Sequence, residues 1–134
     1  MSVSPLQVFF LPFREFKFEP EHLPYPQAKA SCEAQGGRLA EPRTLEQFNA
    51  LTLFEPLNDR FFLGGSDLGT EGVWLWNSDN TPINLQRFFN ANQPGPNPDE
   101  DCLAYRSGGL NDFQCPTARA YACEFGSIGP VPLC

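Results

Sequence analysis

The chain has 134 residues, of which 41% are hydrophobic, and carries 16 acidic against 9 basic residues for a formal net charge of −7. That length suits one domain, residues 1–134, with a core of about 13–125 and a tail at 126–134. The basic residues are scattered, which argues against nucleic acid and anionic membrane surfaces as partners, and no apolar run is long enough to insert across a bilayer.

The opening MSVSPLQVFFLPF lacks a basic leader and a small-residue cleavage site, so it reads as folded mature chain. Residues 6–19 alternate imperfectly through Phe9, Leu11, Phe13, Phe16 and Phe18, and predict one or two strands broken by Pro12. Pro24-Tyr25-Pro26 then opens a first helix. Ala28, Cys32 and Gln35 share its inward face, and Gly36-Gly37 stops it. A second helix starts at Thr44, where Thr-Leu-Glu-Gln has the form of a capping box closed by Gln47. Leu45, Phe48, Leu51 and Thr52 form its expected inward stripe.

After Pro56 the pattern changes to short apolar segments bounded by Gly, Asn, Asp or Pro. Residues 60–65, 73–77, 102–106 and 119–125 read as strands. Trp74 and Trp76, two apart, share one strand face and read as core. Between them and Cys102 lies a loop-like stretch, 80–99, holding four of the fourteen prolines. A loop of that length in a compact domain is usually functional. The order predicts an α+β domain: two helices, a small mostly antiparallel sheet and a long loop region.

The cysteines are Cys32, Cys102, Cys115, Cys123 and Cys134. There is no CxxC pair and the single His22 is remote from them, so zinc is a poor fit. Several cysteines in a small chain suit an oxidising, extracellular compartment. Five is odd; Cys134, at the chain end, is either a free thiol or a link to a second copy in a homodimer.

Taken in order, these motifs resemble the C-type lectin-like domain in its short form. The carrying segments are Tyr25-x-x-Ala28-x-x-x-Cys32 with Gly36-Gly37-x-Leu39-Ala40, then Phe62-Leu63-Gly64-Gly65 and Gly72-Val73-Trp74-Leu75-Trp76. Leu110-Asn111-Asp112 and the closing Cys115-x7-Cys123-Glu124 complete the set. The resemblance implies the disulfides Cys32–Cys123 and Cys102–Cys115. It also implies a Ca²⁺ ion held on the long loop, through which such domains accept vicinal sugar hydroxyls.

Carried over residue by residue, Gln93-Pro94-Gly95 falls on the family's Glu-Pro-Asn (mannose-type) or Gln-Pro-Asp (galactose-type) turn, with a cis peptide implied before the proline. Glu100, Asn111 and Asp112 fall on the further ligands. The implied metal ligands are thus Gln93, Glu100, Asn111 and Asp112. The implied carbohydrate-binding residues are Gln93, Gly95, Asn97, Glu100, Asn111 and Asp112. The chemistry supports the carry-over, because Ca²⁺ takes carboxylate and amide oxygens while the same side chains hydrogen-bond sugar hydroxyls. Gly95 departs from the pattern: it has no donor side chain, which removes one ligand and predicts weak Ca²⁺. Asn97 and Asp99 are candidates to replace it.

Without that context each signal has an ordinary explanation. Asp99-Glu100-Asp101 is then a solvated acidic turn, and Asn111-Asp112 a turn former after two glycines. The expected function is a secreted, calcium-dependent carbohydrate-binding lectin, slightly favouring galactose-like ligands and acting in microbial or glycan recognition. The alternative is a domain of the same fold that binds a protein, mineral or ice surface without calcium-dependent sugar recognition. An enzyme is not expected, since the chain offers no usable histidine and no nucleophile–base pair.

Overall fold

The computed structural model describes residues 14–58, 60–83, 89–90, 93–95 and 98–126. The strand expected before Arg14, Asn97, and the tail with Cys134 lie outside these residues. Chain order is β1 (Arg14–Leu23), α1 (Tyr25–Ala34), β2 (Arg38–Leu39), α2 (Leu45–Leu51) with a 3₁₀ turn at Thr52–Phe54, β3 (Arg60–Ser66), β4 (Leu75–Trp76), β5 (Cys102–Arg106), β6 (Gly109–Phe113) and β7 (Arg119–Gly126). The result is the α+β architecture predicted from the sequence.

The helices start and stop where local chemistry directs. Pro26 occupies the first turn of α1, where a missing N–H is no loss. At α2 the Thr44 hydroxyl accepts from the Gln47 N–H at 3.1 Å, and Gln47 Oε1 accepts from the Thr44 N–H at 3.2 Å. This closes the capping box and satisfies two helix-end donors. Ala28 and Cys32 are buried as expected, but Gln35 is exposed. It is the C-cap of α1, and its amide reaches out to Lys17 and Glu19 on β1. Leu45 is also corrected: it is 50% exposed, because it opens a seven-residue helix whose inward contacts come from Phe48 and Leu51.

The sheet order is β1-β7-β3-β5-β6, with β2 added to β7 and β4 to β3. The strands pair antiparallel except for a single parallel contact between β3 and β7, and Phe89 adds an isolated parallel bridge to Leu110 of β6. The central strands alternate between two apolar clusters, as the period of two requires. Phe61, Leu63, Leu103, Tyr105, Ala120 and Ala122 face one side, which α2 covers through Phe48 and Leu51. Phe62, Ala104, Tyr121 and Cys123 face the other, which α1 covers through Tyr25, Ala28 and Cys32. Both tryptophans are in the first cluster, 4% and 5% exposed, so they are core residues. At Gly64 the sheet comes so close to the chain before α2 that a Cβ would lie 2.6 Å from the Leu39 carbonyl oxygen.

β6 was not expected as a strand. Asn111 and Asp112 have low strand propensity, yet they pair with Ala104 and Leu103 of β5 in an antiparallel hairpin. Ser107 and Gly108 turn it, with φ of 46° and 89°. Two successive positive φ values match the twist of a tight hairpin.

Two disulfides pin this frame. Cys32–Cys123 ties α1 to β7 across 91 residues of sequence, and Cys102–Cys115 ties the start of β5 to the turn after β6. Closing the longer loop is worth about 4–5 kcal/mol in the chain-entropy description. Replacing both Cys32 and Cys123 by alanine is therefore expected to lower the unfolding free energy by about 4 kcal/mol in urea titrations; a loss below about 1 kcal/mol would mean that loop closure is not what this bond contributes.

Candidate functional site

The β5–β6 hairpin and the turn at Gln93–Gly95 bring the sequence-predicted residues together. Gln93, Glu100, Asn111 and Asp112 line one polar recess of about 270 Å³. The Gln93–Pro94 peptide is cis. The Gly95 N–H donates to Asp112 Oδ2 at 2.8 Å, and the Asp112 N–H points to Gln93 Oε1 at a long 3.4 Å. Asp112 is 4% exposed and Asn111 6%. Burial pushes the Asp112 carboxyl up from its ordinary range. The N–H groups of Gly95 and of Asp112 itself work against that shift, while Glu100 and Asp67 add to it.

Gly95 sits against this cluster with room to spare. A Cβ there would lie 3.7 Å and 3.9 Å from the two Asp112 carboxylate oxygens and 3.9 Å from Gln93 Nε2, which is ordinary contact. The position therefore borders the recess but contributes no oxygen from a side chain. Asn90, which sequence reasoning missed, holds the hairpin end: its amide donates to Asn111 Oδ1 and, at 2.8 Å, to the Arg106 carbonyl. That approach requires Gly109, where a Cβ would lie 2.0 Å from Asn90 Oδ1.

A second group was also missed. Carboxylate oxygens of Asp67, Glu71 and Asp101 lie within 4.8 Å of one another. Asp67 is 2% exposed, and Oδ1 of both Asp67 and Asp101 is buried without a hydrogen bond among the described residues. Asp67 Oδ2 accepts from the Gly72 N–H at 2.8 Å, and the Asp67 N–H donates to the Asp101 carbonyl at 3.1 Å, so the loop geometry is fixed by backbone. Three carboxylates, two of them with an orphaned buried oxygen, fit a hard divalent cation, which would supply the missing positive charge. The recess residues, two carboxylates and two amides, fit the same class with fewer charges. The signal in sequence was weak, because Asp67 and Asp101 are far apart in the chain and only the β3–β5 pairing joins them.

Without a cation the second cluster is a site of repulsion. Burial first, then Asp67 and Glu71, raise the Asp101 pKa from 3.8 to about 6. Between about pH 4 and 6 the folded state holds a proton that the unfolded chain has released. This group's stabilising contribution is thus fully present below the unfolded pKa and is lost as pH rises through 6. In EDTA, Asp101→Asn is expected to remove that loss and to raise the melting temperature at pH 7 by about 3 °C. A lower melting temperature for the variant under these conditions would show that the carboxylates do not repel.

The fold has counterparts among known proteins. The family model described as Lectin C-type domain matches residues 21–125. C-type lectin domain family 4 member M of Nomascus concolor is 33% identical over 97 residues, covering 70% of this chain and 24% of the relative. The chain thus spans about a quarter of the length of the curated relatives it matches. Among solved structures, the mouse scavenger receptor C-type lectin carbohydrate-recognition domain superposes with a TM-score of 0.79 at 25% identity, covering 96% of this chain and 100% of that one. A calcium-independent type II antifreeze protein gives 0.74 at 26% identity, covering 94% and 96%.

Proposed function

The chain belongs to the C-type lectin family, and from that premise we propose that it binds carbohydrate through a weakly held Ca²⁺ at the recess of Gln93, Glu100, Asn111 and Asp112. The observation that carries this is the convergence of those four side chains on one recess, bordered by the Gln93–Gly95 turn. Amide and carboxylate oxygens of this kind can share a divalent cation with sugar hydroxyls and hydrogen-bond the same hydroxyls. Asp67, Glu71 and Asp101 would hold a further Ca²⁺ that orders the loop beside it. Secretion, and a part in microbial or glycan recognition, belong to the same proposal, supported by two disulfides of the kind oxidising compartments permit.

Galactose-like ligands are favoured by Gln93 alone. A second reading, a surface-binding domain that needs no calcium, is supported by the glycine at position 95 and by the similarity to a calcium-independent antifreeze protein. Retention on galactose- or mannose-agarose with release by EDTA is the expected outcome for the lectin; no retention with or without Ca²⁺ would leave the second reading.

Gly95 offers a direct test of the metal. Since the position has space facing Asp112, Gly95→Asp supplies a third carboxylate to the recess. Calorimetric titration is expected to show about tenfold tighter Ca²⁺, equivalent to about 1.4 kcal/mol. Unchanged affinity would mean that no cation binds beside residue 95.

A further inference from the structure

We infer that the ligand taken at this recess is an acidic saccharide, whose sulfate or carboxylate group is received by a cluster of three arginines, Arg60, Arg106 and Arg119. The inference rests on the carbohydrate reading above and extends it to the ligand's charge.

The three side chains line the same recess as Gln93, Glu100 and Asp112. They are three of only nine basic residues in a chain of net charge −7, so their gathering runs against the overall balance. Arg60 and Arg106 are direct cross-strand partners in the β3–β5 ladder. Like charges placed opposite one another in a sheet oppose its stability. Arg119, on β7, completes the group, and its guanidinium carbon lies 4.2 Å from the centre of the Phe113 ring. Phe113 follows Asp112 directly, so the ring that carries the guanidinium is tied to the candidate ligand strand.

No ion pair satisfies these cations among the described residues. The acid–base pairs there involve Lys17, Lys29, Arg38 and Arg43 instead. Arg119 Nε is buried and has no hydrogen-bond partner among the described residues. Burial, and then Arg60 and Arg106, weaken the hold of Arg119 on its proton, while Glu100 opposes them. Guanidinium groups suit sulfate and carboxylate because their planar N–H donors match two oxygens at once. A neutral sugar adds nothing against the repulsion among the three arginines, which Glu100 offsets only in part, whereas an anionic one neutralises it while its hydroxyls reach Gln93 and Asp112.

The test titrates the full chain with galactose, galactose 6-sulfate and galacturonic acid, in Ca²⁺ and in EDTA, at low and high ionic strength. The charged sugars are expected to bind at least about tenfold more tightly than galactose at low salt, with the advantage shrinking as salt screens it. In Arg119→Gln, and separately in Arg60→Gln/Arg106→Gln at two exposed positions, the ratio of charged to neutral affinity is expected to fall to about one. A preference for only one of the two acids also supports the inference and identifies the group received. Equal binding of charged and neutral sugars overturns it while the lectin reading stands, as does a ratio unchanged in both variants. Charged sugars bound equally well in EDTA would sustain the arginine subsite and overturn calcium coordination. Failure of every sugar to bind overturns both.

Discussion

Leu103 faces Asp112 and Ala104 faces Asn111 across the β5–β6 hairpin, and this register decides where the two site residues of β6 stand. β5 and β6 are buried along nearly their whole length, and their apolar residues alternate between two clusters. A slip of one residue would send Leu103 and Tyr105 to the wrong face and turn Asp112 away from Gly95. The same hairpin carries Asp101 at its entry and Arg106 at its turn, so one register positions both acidic groups and part of the basic one. Cys102–Cys115 closes a short loop around it, which holds the two ends of the hairpin together where the polar groups would otherwise push them apart.

That arrangement costs stability. Asp67 and Asp101 bury oxygens without donors, Asp112 is buried beside Glu100, and Arg60 opposes Arg106. An unsatisfied buried polar group costs about 1–3 kcal/mol, so these conflicts together rival the contribution of one long-range disulfide. The cross-linked, two-faced core is what leaves room for them. Elsewhere Arg38 pairs with the buried Glu124, and Arg43 pairs with Glu41 and Asp79, so those carboxylates do have a cation beside them.

Much of this frame was legible in the residues. The capping box at Thr44 and Gln47, the Pro-opened first helix and the apolar runs of β3, β5 and β7 are local signals, and local signals persist when the rest folds around them. β6 was not legible, because its strand state comes from pairing with β5 and overrides the turn preference of Asn111 and Asp112. Leu45 misled because a stripe predicts burial only for the part of a short helix that reaches the sheet. Gln93, Glu100, Asn111 and Asp112 were found through resemblance to a family pattern. Asp67, Glu71, Asn90 and the three arginines escaped because each draws its meaning from a neighbour distant in sequence.

The two acidic groups differ in a way that orders their behaviour under the calcium proposal. Asp67, Glu71 and Asp101 offer three carboxylates within reach of one another. The recess offers two, Glu100 and Asp112, and three arginines are among its lining residues. Like charges in one recess repel, so the arginines that line it oppose a divalent cation there. The first group should therefore fill at lower Ca²⁺ concentration and order the loop, while the recess fills readily only when an anionic ligand arrives with the metal. On this view Gly95 is part of a balance: with a third carboxylate the recess would draw calcium by itself, and without one it depends on the charge that the ligand brings.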